Sequence, residues 1–285
     1  MDVIFDKIIK QKEDMSPALK KLAEYILANR SDVSFMTITA LAEASGTSEA
    51  TIVRFCNSLG YFGYPDFKAD LQSSVQKRLS IRERLHMSDI AYDNDEHAFI
   101  AEIFRNDMSS IQTTLEGLDM DNFVDIMNEL LKAKHVVITA SRSAQAIGSF
   151  LEYYLQMILD DVVMLDKLSV IKEDEVISSF SEDTAVIGIT FHRYSKSTIR
   201  TMKYAYERGC VTIALTDMLQ SPIVPFSRYS LFAETKLPSL LETFAGPISL
   251  VNAMIIYLSK ARRPELDKKL ELLERRWVDF DVFDE

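Results

Sequence analysis

The chain has 285 residues, 47% of them hydrophobic and 26% charged, which is enough apolar material for two ordinary domains and excludes global disorder. Two widely separated cysteines, Cys56 and Cys210, exclude a disulfide framework and a cysteine-rich zinc site, and four scattered histidines argue against a metal centre. The net charge of −11 argues against wholesale electrostatic attraction to nucleic acid, but it is uneven: residues 1–77 hold nine basic and ten acidic side chains, and most of the acidity lies further on.

The first sixteen residues, MDVIFDKIIKQKEDMS, carry acidic side chains and no apolar run of signal-peptide length, and nowhere do about 18 apolar residues follow one another. A soluble cytoplasmic protein without membrane contact is therefore expected. Residues 1–77 show helical periodicity. Ser16-Pro17 reads as a helix start, a capping serine followed by a proline suited to the first turn. That helix runs to about Ala28, with Leu19, Leu22, Ala23, Ile26 and Leu27 on one face. A shorter helix, ITALAEAS, is closed by Gly46, whose freedom at positive φ suits a tight turn.

Ser48 then caps a helix reaching Leu59, in which Ile52, Phe55, Cys56 and Leu59 fall at i, i+3, i+4 and i+7 and form the buried face. Its other face offers Glu49, Ala50, Thr51, Val53, Arg54 and Asn57. Small and polar groups near a helix start can approach base edges, while arginine and asparagine suit phosphate, guanine or adenine. Lys68, at the start of the next helix, is placed for a backbone phosphate. Many helical bundles contain such a turn without touching DNA, so the pattern by itself leaves both readings open. The run MTITALAEASGTSEATIVRFCNSLGYFGYPDFKADL adds weight. Through Leu41-Ala42-Glu43, Ser48, Ala50 to Phe55, Leu59-Gly60 and Gly63-Tyr64 with Phe67-Lys68, it resembles the N-terminal helix-turn-helix domain of the RpiR family of bacterial transcriptional regulators over about Ser16–Leu71. That resemblance makes Ser48–Leu59 the recognition helix, with Ser48, Glu49, Ala50, Thr51, Arg54, Asn57 and Lys68 as DNA-contacting candidates.

Residues 78–98, charge-rich and losing their apolar stripe, read as a linker between a domain at 1–77 and another at 99–285. Helices are expected at Glu96–Glu116 and Asp121–Ala133. Five short Val- and Ile-rich runs follow: His135–Ala140, Val162–Leu165, Thr184–Thr190, Cys210–Thr216 and Tyr229–Ala233. They barely alternate, as parallel strands covered on both faces do. Helices at Ser143–Leu159 and Ser197–Arg208 separate some of them, and two more, near Leu240–Lys260 and Pro264–Asp279, finish the chain. The expectation is an all-α helix-turn-helix domain followed by an α/β doubly wound, five-stranded parallel sheet.

Two loops, Thr139–Ala146 and Thr190–Thr198, follow the first and third strands and open helices. Ligands of such sheets bind beyond strand C-termini, and helix N-termini favour anions. Ser141, Arg142 and Ser143 in the first loop, with Arg193, Ser195, Ser197 and Thr198 in the second, have the chemistry of a phosphate cradle; serines at such places are also ordinary helix caps. This half, about Glu96–Lys260, resembles the SIS (sugar isomerase) domain that RpiR regulators carry, most firmly in HRYSKSTIRTMKYAYERGCVTIALTDMLQSPI. The resemblance implies a phosphosugar held by hydroxyls of the two loops, matched here by Ser141, Ser143, Thr190 and Ser195. His192 and Phe191 would be pocket walls, although a lone histidine also serves as a cap or core residue. Glu242 stands at the expected start of the next helix and either meets a sugar hydroxyl or complements the dipole. The chain departs from the common pattern: the first loop lacks glycines, and His192-Arg193-Tyr194-Ser195 replaces a Ser-Gly-Glu-Thr-like run. Bulkier side chains narrow the pocket. The implied function is a regulator, not an enzyme, without cofactor, metal or catalytic residues. It reads a near-palindromic operator in double-stranded DNA as a homodimer or homotetramer and answers to a phosphorylated metabolite. A phosphosugar isomerase and a partner-binding module with a vestigial site are the alternatives.

Overall fold

A computed structural model describes residues 3–34, 36–78, 96–235 and 242–282. The chain divides into two compact units, residues 1–99 with 236–242, and residues 100–235 with 243–285. Most of the expected linker, residues 79–95, lies outside the described residues, whereas 96–98 already belong to a helix. No described helix is long and apolar enough to cross a membrane.

The first unit is helical: α1 (Val3–Gln11), α2 (Pro17–Ala28), the short α3 (Arg30–Val33), α4 (Ile38–Ser45), α5 (Glu49–Ser58) and α6 (Tyr64–Arg78). Its core joins Ile4, Phe5 and Ile8 of α1, Leu22 and Ile26 of α2, Leu41 of α4, Ile52, Phe55 and Cys56 of α5, and Phe67 and Leu71 of α6. Phe67 meets Phe55 edge-on, with ring centroids 5.8 Å apart. Gly46 closes α4 at φ 59°, its N–H donating to the Ala42 and Glu43 carbonyls, so α5 can start at a sharp angle. Ser16, expected to cap α2, has extended backbone angles but makes no capping bond; Pro17 alone presets the first turn.

The second unit contains α7 (Glu96–Glu116, its first four residues grouping with the other unit), α8 (Met120–Lys132), β1 (His135–Thr139), α9 (Ala144–Ile158), β2 (Val162–Met164), α10 (Val170–Ser178), β3 (Thr184–Ile189), α11 (Lys196–Glu207), β4 (Val211–Thr216), β5 (Tyr229–Phe232), α12 (Ala245–Ala261) and α13 (Arg263–Asp279). All five strands are parallel, in the order β2-β1-β3-β4-β5. Val136, Ile138, Ile187, Ile213 and Leu215 turn to one face, where α8, α9 and α12 pack. Val137, Val186 and Ala214 turn to the other, against Met202 and Ala205 of α11. Burial on both faces explains why the strands read as continuous apolar runs. The sequence reading missed α10: none of its residues is fully buried, Val170 and Ile171 are each 74% exposed, and only Val176 and Ile177 pack against the core, too few to make a helical apolar stripe. The helix expected from Leu240 begins at Ala245. Strand order reverses between β1 and β3, which makes that crevice the switch point.

Candidate functional site

Two separate places carry function-bearing chemistry. In the first unit, Ser48 caps α5, its hydroxyl accepting from the Thr51 N–H at 3.2 Å and lying 2.9 Å from the Thr51 hydroxyl. Thr51, read from the sequence as facing outward, is only 6% exposed. Packing into the cap turns it inward and removes it from the contact face. The Arg54 guanidinium reaches back to the Thr51 hydroxyl at 3.3 Å, and the Thr39 hydroxyl donates to Glu49 Oε1 at 2.6 Å, tying α4 to the first turn of α5. The exposed surface of α5 is thus Glu49, Ala50, Val53, Arg54, Asn57 and Ser58. Lys68 is half-buried at the start of α6. Lys21 of α2 was not singled out from the sequence. It reaches the turn and donates to the Gly46 carbonyl at 3.1 Å, a contact across 25 residues that no local pattern announces.

In the second unit the loops after β1 and β3 meet. Ser141 donates to Asp166 Oδ1 at 2.5 Å, and the Ala140 N–H donates to Oδ2 of the same carboxylate at 2.8 Å. The Ser141 oxygen lies 2.9 Å from that of Ser197, which lies 2.8 Å from that of Ser195. A chain of three hydroxyls therefore spans the switch point and ends on a carboxylate. The Ser195 N–H donates to the buried Thr190 hydroxyl at 2.9 Å, which shapes the second loop. Neither Ser143 nor Ser195 makes a side-chain cap, so capping does not account for them. Arg142 holds a left-handed backbone at φ 60°, uncommon for a side-chain-bearing residue and a form of strain found most often at binding loops. Arg142, Ser143 and Arg193 are exposed at the rim. His192 is half-buried, edge-on to Tyr194 at 5.9 Å, and Tyr194 donates to Asp217 Oδ1 at 2.9 Å. The Arg-Tyr segment is thereby pinned to the end of β4. Phe191 is buried against Phe244, at 5.6 Å between ring centroids.

Asp166 escaped sequence reading because nothing local marks it; 25 residues separate it from Ser141. It sits in a single 3-10 turn, Leu165–Lys167, held from behind by Glu152 of α9. Glu152 is 7% exposed and accepts from the Met164 N–H at 3.0 Å and from the Lys167 ammonium. A buried carboxylate with a charged partner and a backbone donor is satisfied, and it clamps the turn on both sides of Asp166. Glu242 precedes α12 by three residues, in the segment grouped with the first unit. No cluster of His, Cys, Asp and Glu able to hold a metal occurs among the described residues.

Residues 3–78 match the helix-turn-helix domain of the rpiR family, and residues 129–257 match the SIS domain. A helix-turn-helix transcriptional regulator of Providencia stuartii is 28% identical over 210 residues, spanning 72% of this chain and 71% of the relative. The regulator HexR of Escherichia coli is 25% identical over 219 residues, 75% and 72% of the two chains. Among solved structures, the sugar isomerase domain of an RpiR transcription factor from Sphaerobacter thermophilus superposes with a TM-score of 0.58 at 22% identity, over 61% of this chain and 97% of that one. NanR of Vibrio vulnificus, complexed with ManNAc-6P, does so with a TM-score of 0.55 at 23% identity, over 97% and 98%. These likenesses match the fold described above. With a helix-turn-helix in its first unit and a SIS sheet in its second, the chain belongs to the RpiR family of helix-turn-helix transcriptional regulators.

Proposed function

We propose that this regulator reads DNA through α5 and adjusts its affinity when a phosphorylated sugar or related metabolite occupies the crevice between the loops after β1 and β3. The observation that carries the effector half is the hydroxyl chain Ser195–Ser197–Ser141, which joins two loops across the switch point. Hydroxyls that bond one another can turn to donate to a phosphate, and the N-terminus of α11 adds free N–H groups and a partial positive charge. Arg142 and Arg193 at the rim add cations, and Thr190 shapes the loop. Complexation of NanR with ManNAc-6P supports the phosphosugar class. The relatives bear the names of transcriptional regulators, and no catalytic step is proposed.

On the DNA side, Ala50, Val53, Arg54 and Asn57 are the exposed group that fits a major groove, with Ser48 and Glu49 at the helix start and Lys68 near the backbone. The acidic remainder would limit non-specific binding, because counterion release scales with the phosphates a local cationic patch neutralises. A homodimer or homotetramer would present two such helices to a near-palindromic operator, in the cytoplasm where the DNA is. DNA and effector each prefer one arrangement of the two domains, joined by the segment between α6 and α7, so each changes the other's affinity.

Thermal melting of the full chain against inorganic phosphate and a panel of sugar phosphates tests the reading. A ligand selective for the native state raises the melting temperature by mass action. A selective rise that Ser195→Ala abolishes, while DNA affinity of the free protein persists, is the expected result. No rise with any phosphate sinks the effector half and leaves only the DNA half.

A further inference from the structure

Two glycines bound α5, and an ammonium from another helix lies against each. Gly46, at φ 59°, opens the turn before α5, and Gly60, at φ 83°, follows its last turn. Lys21 of α2 donates to the Gly46 carbonyl at 3.1 Å, and a Cβ on Gly46 would lie 2.8 Å from the Lys21 ammonium. A residue without a side chain leaves Lys21 that place. Lys7 of α1 holds its ammonium 5.2 Å from the centroid of the Tyr61 ring and 3.6 Å from where a Gly60 Cβ would be.

Neither lysine has a carboxylate partner among the described residues. Other lysines of α2 and of the turn before it do: Lys12 pairs with Glu24 at 2.9 Å and Lys20 with Glu13 at 4.0 Å. The acids at the two ends of α5 are engaged elsewhere. Glu49 accepts from the Thr39 hydroxyl, Asp66 accepts from the Phe62 N–H at 3.1 Å, and Asp70 accepts from the Tyr61 hydroxyl. Solvated lysines are common on any surface. These two are fixed in place, one on a carbonyl and one over a ring face, and they mark opposite ends of one helix.

We infer that Lys7 and Lys21 are phosphate-contacting residues that hold the two ends of α5 against the facing backbones of a major groove. The ten residues of α5 extend about 15 Å at 1.5 Å per residue, comparable with the ~12 Å width of that groove. With Ala50, Val53, Arg54 and Asn57 toward the bases, each end of the helix then stands beside one line of phosphates. The helix start attracts phosphate through its free N–H groups, whereas the helix end carries partial negative charge and repels it. Lys21 reinforces the first effect, and Lys7 reverses the second. A near-neutral unit gains affinity for a polyanion only where its unpaired cations meet the groove, and these two do. The inference rests on α5 as the DNA-reading helix and adds two contacts from outside it.

Fluorescence anisotropy of the full chain with a short, labelled, random-sequence duplex is the test. Non-specific binding is electrostatic, and each phosphate neutralised adds about 0.9 to the slope of log affinity against log salt. The charge-removing pair, Lys7→Met with Lys21→Met, keeps both aliphatic stems and should lower that slope by about 1.8. The charge-retaining pair, Lys7→Arg with Lys21→Arg, should restore it. A lysine that only braces the turn would change the melting temperature and leave the slope alone. Lys20→Met, next to Lys21 in sequence but paired with Glu13, is the control and should leave the slope unchanged. An unchanged slope in the charge-removing pair overturns the inference, and so does an equal fall per lysine in the control. Arg54→Ala, measured alongside, separates this inference from the reading it rests on. A fall there with none in the charge-removing pair keeps α5 and discards the two lysine contacts; no fall in either discards both. If the charge-removing pair fails to fold, Lys7→Met alone decides, by a fall of about 0.9 or none.

Discussion

Replacing Asp166 by asparagine separates two effects of one carboxylate. Asp166 now takes the proton of Ser141 at 2.5 Å and the N–H of Ala140 at 2.8 Å. Asparagine retains an oxygen for the Ala140 N–H and turns its amide NH₂ toward the Ser141 oxygen. The Ser141 proton is then released toward Ser197 or a ligand. The native fold loses one charge-assisted hydrogen bond and gains a neutral one, a cost of about 1 kcal/mol. An anion gains more. A phosphate oxygen bonded to Ser141 lies about 2.7 Å from that hydroxyl, which places the phosphorus roughly 6 Å from the carboxylate. Charges of −1 and −2 at about 6 Å repel by roughly 1.4 kcal/mol even with the dielectric of water. Removing the repulsion corresponds to about a tenfold tighter dissociation constant. Titration calorimetry with inorganic phosphate at low salt reads this directly, and urea denaturation reads the fold. Tighter phosphate binding on a slightly less stable protein is the expected pair of results. If a sugar phosphate binds more weakly while phosphate binds more tightly, Asp166 also grips sugar hydroxyls. Unchanged or weaker phosphate binding by a folded Asp166→Asn protein would refute the placement of the anion on Ser141.

Arg54→Ala should weaken binding to duplex DNA and lower the slope of log affinity against log salt by about one, measured by fluorescence anisotropy. Thr51→Val should leave that slope unchanged and cost stability instead, on the order of 1 kcal/mol, because the buried hydroxyl serves the Ser48 cap. Gly188→Ala should cost about 1–3 kcal/mol in guanidinium denaturation, since a Cβ on β3 would lie 2.5 Å from Met202 Cγ and 2.8 Å from Ile223 Cδ1; a fully stable variant contradicts the packing of α11. Burial pushes the Cys56 thiol up from an ordinary 9.0 to about 12, and burial likewise pushes Tyr64 up from 10.0 to about 12. Both ionise more readily in the unfolded chain. Their contribution to stability is therefore complete below about pH 9 and declines as pH climbs toward 12. Melting followed by circular dichroism should show this alkaline loss, and a melting temperature flat across that range argues against their burial.

Several features were legible because they rest on local rules. Val- and Ile-rich runs bounded by turns announced five strands, and their lack of alternation announced coverage on both faces. Gly46 and the spacing of Ile52, Phe55, Cys56 and Leu59 announced the turn and the buried side of α5. The same rules failed where no apolar stripe existed, as in α10, or where a short polar side chain was drawn inward by a cap, as Thr51 was. Ser16 failed differently: its residue type suits a cap, but its hydroxyl makes no such bond.

The order of residues along the chain determined which segments are helix and strand, which residues are apolar enough to be buried, and which two loops carry hydroxyls and cations. It did so because propensity, periodicity and capping act over a few residues. Tertiary structure decided the rest. It set β3 beside β1 so that Ser141 reaches Ser197, and it brought Asp166 to that pair from the end of β2 with Glu152 behind it. It also turned the Ser110 and Thr114 hydroxyls of α7 inward and Phe104 and Met108 outward. Contacts between residues 25 to 124 positions apart depend on how whole elements pack, and no short window of sequence contains that information.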